Sequence, residues 1–149
     1  MKNFLMLAFC LLSMTAFAQL NPVTWTFAKE KMKDGSLELV FTANVEEGWY
    51  IYSQLLESED GPVATTFSFM ENHDVDFSSS IEEKGKKTEG FDPIFQMKVT
   101  KYSGKVEFRQ KIAVRGDVEA IEGFVEFMSC DSEKCLPPRE VEFVISMKD

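Results

Sequence analysis

The chain has 149 residues, 44% of them hydrophobic and 28% charged, with 14 Phe, 3 Cys and a formal net charge of −9. An acidic surface of this kind weighs against nucleic acid and anionic lipid as partners. Beyond the first eighteen residues no run reaches the roughly 18 apolar residues of a membrane span, so no membrane insertion is expected.

Residues 1–18, MKNFLMLAFCLLSMTAFA, combine Lys2, an apolar stretch and the small-x-small tripeptide Ala16-Phe17-Ala18. This is the pattern of a secretory signal peptide, with cleavage expected after Ala18. Phe9 is too bulky for the small residue that lipoprotein processing would need before Cys10. Cleavage leaves residues 19–149, enough for one domain with a single core. Lys2 departs with the signal and takes the net charge to −10. Cys10 departs too, so Cys130 and Cys135 remain, in an oxidising compartment where a pair of thiols spends time as a disulfide.

From Val23 onward, short alternating runs are divided by turn residues, which is a strand signal. Val23, Trp25 and Phe27 alternate with polar neighbours, and Lys33-Asp34-Gly35-Ser36 turns the chain. Leu37, Leu39, Phe41, Ala43 and Val45 make the second strand, Trp49-Tyr50-Ile51-Tyr52 an aromatic third, and Val63 to Phe69 a fourth. Residues 71 to 93 are polar and read as a long exposed loop, with a short strand near Val75 to Phe77. Phe95, Met97 and Val99 alternate, Ser103-Gly104 reads as a turn, and strands follow over Val106 to Val114, Ile121 to Met128 and Val141 to Ile145. No segment offers a three-turn amphipathic helix. Eight or nine short strands at this spacing predict an all-β fold, an immunoglobulin-like antiparallel sandwich.

The chemistry concentrates in Phe127 to Pro138, FMSCDSEKCLPP. A Cys130–Cys135 disulfide would close a ring of a few residues, worth only about 2 kcal/mol in the chain-entropy account, which makes it a weak staple. Pro137 and Pro138 force extended chain and donate no hydrogen bonds, placing the pair on a loop at a sheet edge within reach of another protein. Three uses remain open: a structural hairpin disulfide, a redox-active disulfide, or a soft metal site in which Met128 joins the thiolates. Zinc would need two further ligands, and the sole histidine, His73, lies among loop residues. Lys134 and Arg139 favour a thiolate, whereas Asp131, Glu133 and Glu140 oppose it. Tyr50 and Tyr52 share one strand face and Trp49 and Ile51 the other; with the latter pair in the core, the tyrosines face out towards the cysteine loop.

Cys130 to Pro138, together with Gly48-Trp49-Tyr50-Ile51-Tyr52-Ser53-Gln54 and Gly90-Phe91-Asp92-Pro93-Ile94-Phe95, resembles the amino-terminal periplasmic domain of the thiol:disulfide interchange protein DsbD. The resemblance implies an immunoglobulin-like periplasmic redox domain, a protein-disulfide reductase or electron carrier component needing no bound cofactor or metal. It also implies a thioredoxin-like domain of a membrane redox protein as donor and periplasmic thiol proteins as acceptors. By motif, Cys135 would attack, Cys130 would resolve, Tyr50 and Tyr52 would flank the pair, and Phe91 would serve as the aromatic lid that the family places over its cysteines. Two departures accompany the likeness: the cysteine spacing is shorter than in the best-known members, and these residues hold no counterpart of the family's membrane and thioredoxin-like domains, so the donor is expected on another polypeptide. The alternative is a non-catalytic protein-binding sandwich whose disulfide only stiffens a loop.

Overall fold

A computed structural model describes residues 20–58, 60–77 and 79–148, and the expected signal peptide lies outside them. Ten strands form among the described residues: β1 (Val23–Lys31), β2 (Leu37–Val45), β3 (Tyr50–Tyr52), β4 (Thr66–Phe69), β5 (Val75–Asp76), β6 (Glu82–Asp92), β7 (Met97–Val114), β8 (Ala120–Phe127), β9 (Ser129–Cys130) and β10 (Arg139–Ser146). They make two antiparallel sheets, the immunoglobulin-like sandwich that the turn spacing predicts. The larger runs β1-β2-β7-β3-β9, with β5 and β6 also paired to β7; the smaller runs β10-β8-β4.

Alternation explains why the sheets meet. Inward residues of β1, β2 and β7 in the larger sheet, among them Trp25, Phe27, Phe41 and Phe108, pack against Phe67 and Phe69 of β4, Phe127 of β8 and Phe143 of β10. Ring centroids stand 4.6 Å apart for Phe41–Phe67, 5.0 Å for Phe41–Phe143 and 5.4 Å for Trp25–Phe127. Edge and tilted contacts of this kind add to the area term that dominates such cores.

Two expectations need correction. Residues 71 to 93 are not mostly loop: β5 lies where the short strand was expected, but β6 adds eleven residues paired along β7. β6 lies against β7 on the side away from β2 and β3, and nearly all of its residues are exposed. With neither face buried, it leaves no period-2 apolar pattern to read. Ser103-Gly104 is likewise not a turn, because β7 continues through it for eighteen residues. Gly104 adopts φ of 67°, and the register with β6 jumps from Gly85↔Val106 to Lys86↔Ser103. A left-handed glycine serves a β-bulge as well as a turn, and here it kinks a central strand. The kink divides β7 into a half that pairs β2 and a half, around Lys101 and Tyr102, that pairs β3.

Gly123 tests the packing of the smaller sheet. It pairs with Phe69 on one side and Phe143 on the other, and a Cβ there would overlap the Ser68 carbonyl oxygen and stand 2.7 Å from the Phe143 ring. Gly123→Ala is expected to cost about 2 kcal/mol in urea unfolding. Gly90→Ala, whose Cβ meets nothing within 4 Å, should change stability by less than about 1 kcal/mol.

Candidate functional site

The cysteine pair sits where the larger sheet runs out. β9 is only Ser129–Cys130, pairing Tyr50↔Cys130 and Ile51↔Ser129 with β3. The chain then reverses: the Asp131 amide donates to the Lys134 carbonyl and the Leu136 amide to the Ser129 carbonyl, each at 2.9 Å. Between these two bonds Cys130 and Cys135 face each other across an antiparallel bridge, Cα atoms 4.0 Å apart, joined by a disulfide. This is the non-hydrogen-bonded type of cross-strand pair, the one that brings side chains closest. Asp131 shapes the reversal by accepting the amides of Glu133 and Lys134 at 2.8 Å each, and those bonds lower its carboxyl pKa.

The two sulfurs differ in exposure. Cys130 has no exposed surface, and Cys135 is half-buried at the rim. Cys130 belongs to a small cluster with Tyr52 and Val99, separate from the main core, against which Tyr50, Leu56, Phe95, Met97 and Met128 pack. The tyrosines lie on the face opposite Ile51, and Tyr52, whose hydroxyl reaches Cys130, is fully buried. β9 lies alongside β3, and the loop before β7 covers the ring, with Phe95 edge-on to Tyr52 at 5.9 Å. Phe91 is 61% exposed and is not in this cluster. His73 is exposed, and no group of three or more His, Cys, Asp or Glu side chains gathers for a metal among the described residues.

Residue-level reading missed the groups that organise the site. Asp92 has no exposed surface and accepts four hydrogen bonds. Its Oδ2 takes the Tyr52 hydroxyl at 3.0 Å and Lys101 Nζ at 2.7 Å; its Oδ1 takes the amides of Ile94 at 2.8 Å and Phe95 at 3.3 Å. Lys101 Nζ also lies 4.0 Å over the Tyr50 ring, a cation–π contact. The Tyr52 hydroxyl oxygen is 3.4 Å from Cys130 Sγ, so a line of polar contacts runs from the rim to the buried sulfur. Burial pushes the Asp92 carboxyl up, but Lys101, the Ile94 amide, Tyr52 and the Phe95 amide together outweigh it and hold the group below the usual carboxylate range. Burial first, then Tyr50 and Asp92, push the Tyr52 phenol far above its ordinary range. The Asp92-Pro93 dipeptide is a turn signal that could have flagged the carboxylate; Lys101 became visible only through its register opposite Tyr52.

A family model described as thiol:disulfide interchange protein DsbD, N-terminal, matches residues 18–146. Solved structures similar to the chain include the DsbD N-terminal domain of Neisseria meningitidis in the reduced form, with 17% identity and a TM-score of 0.59 over 88% of this chain and 92% of that one. The N-terminal periplasmic domain of ScsB from Proteus mirabilis is 15% identical, with a TM-score of 0.56 over 84% of this chain and 45% of that one. A third is the complex between the DsbD N-terminal and PilB N-terminal domains of Neisseria meningitidis, at 15% identity, a TM-score of 0.51, and coverage of 85% and 87%. At these identities the structural likeness speaks for the fold. No curated protein sequence matches.

The Asp92 carboxyl sits lower in the folded chain than its unfolded value of about 3.8, so its stabilisation is complete above about pH 4 and is lost as pH falls through the folded value. Asp92→Asn is expected to destabilise the protein by about 2–3 kcal/mol at pH 7, because Lys101 and two amides lose a charged acceptor. Denaturant unfolding at a series of pH values should show that difference shrinking below pH 4.

Proposed function

Because the chain belongs to the DsbD N-terminal family, we propose that its Cys130–Cys135 disulfide is a two-electron carrier in thiol–disulfide exchange. We assign residues 1–18 to an export signal and residues 19–149 to a redox domain working in the periplasm. The donor is a thioredoxin-like domain of a membrane redox protein, and the acceptors are periplasmic thiol proteins. The complex of related domains is a complex between two protein domains, which fits a protein partner here.

The observation that carries this reading is the asymmetry of the pair: Cys135 reaches the rim, while Cys130 is buried against the Tyr52 hydroxyl. On loading, a donor thiolate attacks Cys135 Sγ, the Cys130–Cys135 bond breaks, and Cys130 leaves with the electron pair and takes up a proton. The donor's second thiolate then attacks the donor's own sulfur in the mixed disulfide, so Cys135 is released reduced and the donor leaves oxidised. On delivery, the Cys135 thiolate attacks an acceptor disulfide and displaces one acceptor thiol. Cys130 then gives up its proton, attacks Cys135 Sγ, restores the intramolecular disulfide and frees the second acceptor thiol. The two sulfurs hold both electrons throughout, so the cycle needs no cofactor. Phe95, which packs against the Cys130 cluster, takes the lid role in place of Phe91, and Tyr50 and Tyr52 wall the pair. A static binding module stiffened by the same bond has no comparable use for one buried and one rim sulfur.

Cys130→Ser leaves Cys135 able to attack but removes the group that would resolve the product. With a thioredoxin-like partner disulfide it should accumulate a covalent complex on a non-reducing gel, at least about tenfold more than Cys135→Ser does. Absence of a mixed disulfide with both variants would show that the pair is structural.

A further inference from the structure

The Tyr52 hydroxyl has two acceptors and one hydrogen. Its oxygen lies 3.0 Å from Asp92 Oδ2 and 3.4 Å from Cys130 Sγ, and only one of them can receive the proton. An ionised carboxylate is the stronger acceptor, so the hydrogen points to Asp92 and the oxygen's lone pairs point towards the sulfur. Lys101 at 2.7 Å and the Ile94 amide at 2.8 Å keep that carboxylate charged although it has no exposed surface.

This arrangement is indifferent to a disulfide sulfur and becomes selective once the bond is reduced. A Cys130 thiol can donate S–H to the Tyr52 oxygen and extend the chain thiol to hydroxyl to carboxylate to ammonium, every member satisfied. A Cys130 thiolate would meet lone pairs instead of a donor, in a dry pocket, with a fixed carboxylate just beyond the hydroxyl. Cys135, half-buried at the rim, has no such contact with the carboxylate among the bonds of the site. The titratable and charged groups facing Cys130 are Tyr50 and Tyr52 from β3, Asp92 from β6, Lys101 from β7, and Asp131 and Lys134 on its own loop. Lys101 is engaged with Asp92 Oδ2 and the Tyr50 ring, Asp131 is engaged with the Glu133 and Lys134 amides, and Lys134 is exposed.

We infer that Asp92, held as an anion by Lys101 and acting through the Tyr52 hydroxyl, keeps Cys130 a thiol in the reduced protein and so assigns the attacking role to Cys135. Asp92 and Lys101 are positioning residues, and Tyr52 is the group that touches the sulfur. The inference rests on the proposed redox use of the pair, and it adds which residue decides the order of events.

The test is a pH titration of the two cysteine Cβ chemical shifts by NMR in the full exported chain, reduced with a phosphine. In the wild type Cys130 should titrate above Cys135. Asp92→Asn should lower the Cys130 midpoint by about 1–3 pH units and leave Cys135 within about half a unit. Lys101→Met, which leaves the carboxylate without its cation, should raise the Cys130 midpoint further, and Lys101→Arg should return it to the wild-type value; an unchanged Cys130 midpoint in Lys101→Met counts against the inference. A Cys130 midpoint at or below that of Cys135 in the wild type, or equal shifts of both cysteines in Asp92→Asn, overturns the inference. Should Asp92→Asn fail to fold, the wild-type order and the Lys101 pair decide alone. The titration involves no partner protein, so failure to trap a mixed disulfide and failure of this order are separate results.

Discussion

A carboxylate without exposed surface is the constraint around which the cysteine site is arranged. Removing an unpaired charge from water costs several kcal/mol, so Asp92 is tolerable only because Lys101, Tyr52 and the amides of Ile94 and Phe95 surround it. Those donors belong to three different pieces of the chain. Tyr52 is on β3, Lys101 on β7, and Ile94 and Phe95 on the loop that folds over the sulfur. Satisfying one charge therefore fixes the strand beside Cys130, the strand behind it and the loop above it.

The sandwich supplies the geometry that this arrangement needs. β3 is three residues long and sits between β7 and β9, so Tyr52 is placed by the bent half of β7 and delivered to Cys130 by the register Tyr50↔Cys130. The bulge at Gly104 lets one strand serve two neighbours, β2 at the main core and β3 at the site. The aromatic core between the sheets anchors β2, β7 and β8 independently of the cysteine loop. The disulfide thereby sits in a satellite cluster at the edge, apart from the core that joins the two sheets.

Much of this was legible in the residues, and the limits are physical. Strands with an apolar inner face, such as β1 and β2, announced themselves through alternation, and the FMSCDSEKCLPP segment announced a cysteine pair on an edge. β6 was hidden because a strand exposed on both faces carries no alternation, and the Gly104 bulge because a left-handed glycine marks turns and bulges alike. The GFDPIF segment stood out for its aromatics, whereas its one fully buried member is the charged Asp92, with Phe95 packed against the Cys130 cluster and Phe91 largely exposed. Burial of a charge depends on donors that arrive from distant strands, and a single segment does not show them.

The central claim is that this disulfide exists to be reduced and reformed. Its reduction potential, measured by equilibrating the exported chain against defined dithiol–disulfide buffers and counting free thiols, tests that most directly. A carrier should equilibrate with a thioredoxin-like couple and lie well above the region of about −300 mV and below where structural bonds reside. A potential below that region, or no exchange with any thioredoxin-like protein, would contradict the account.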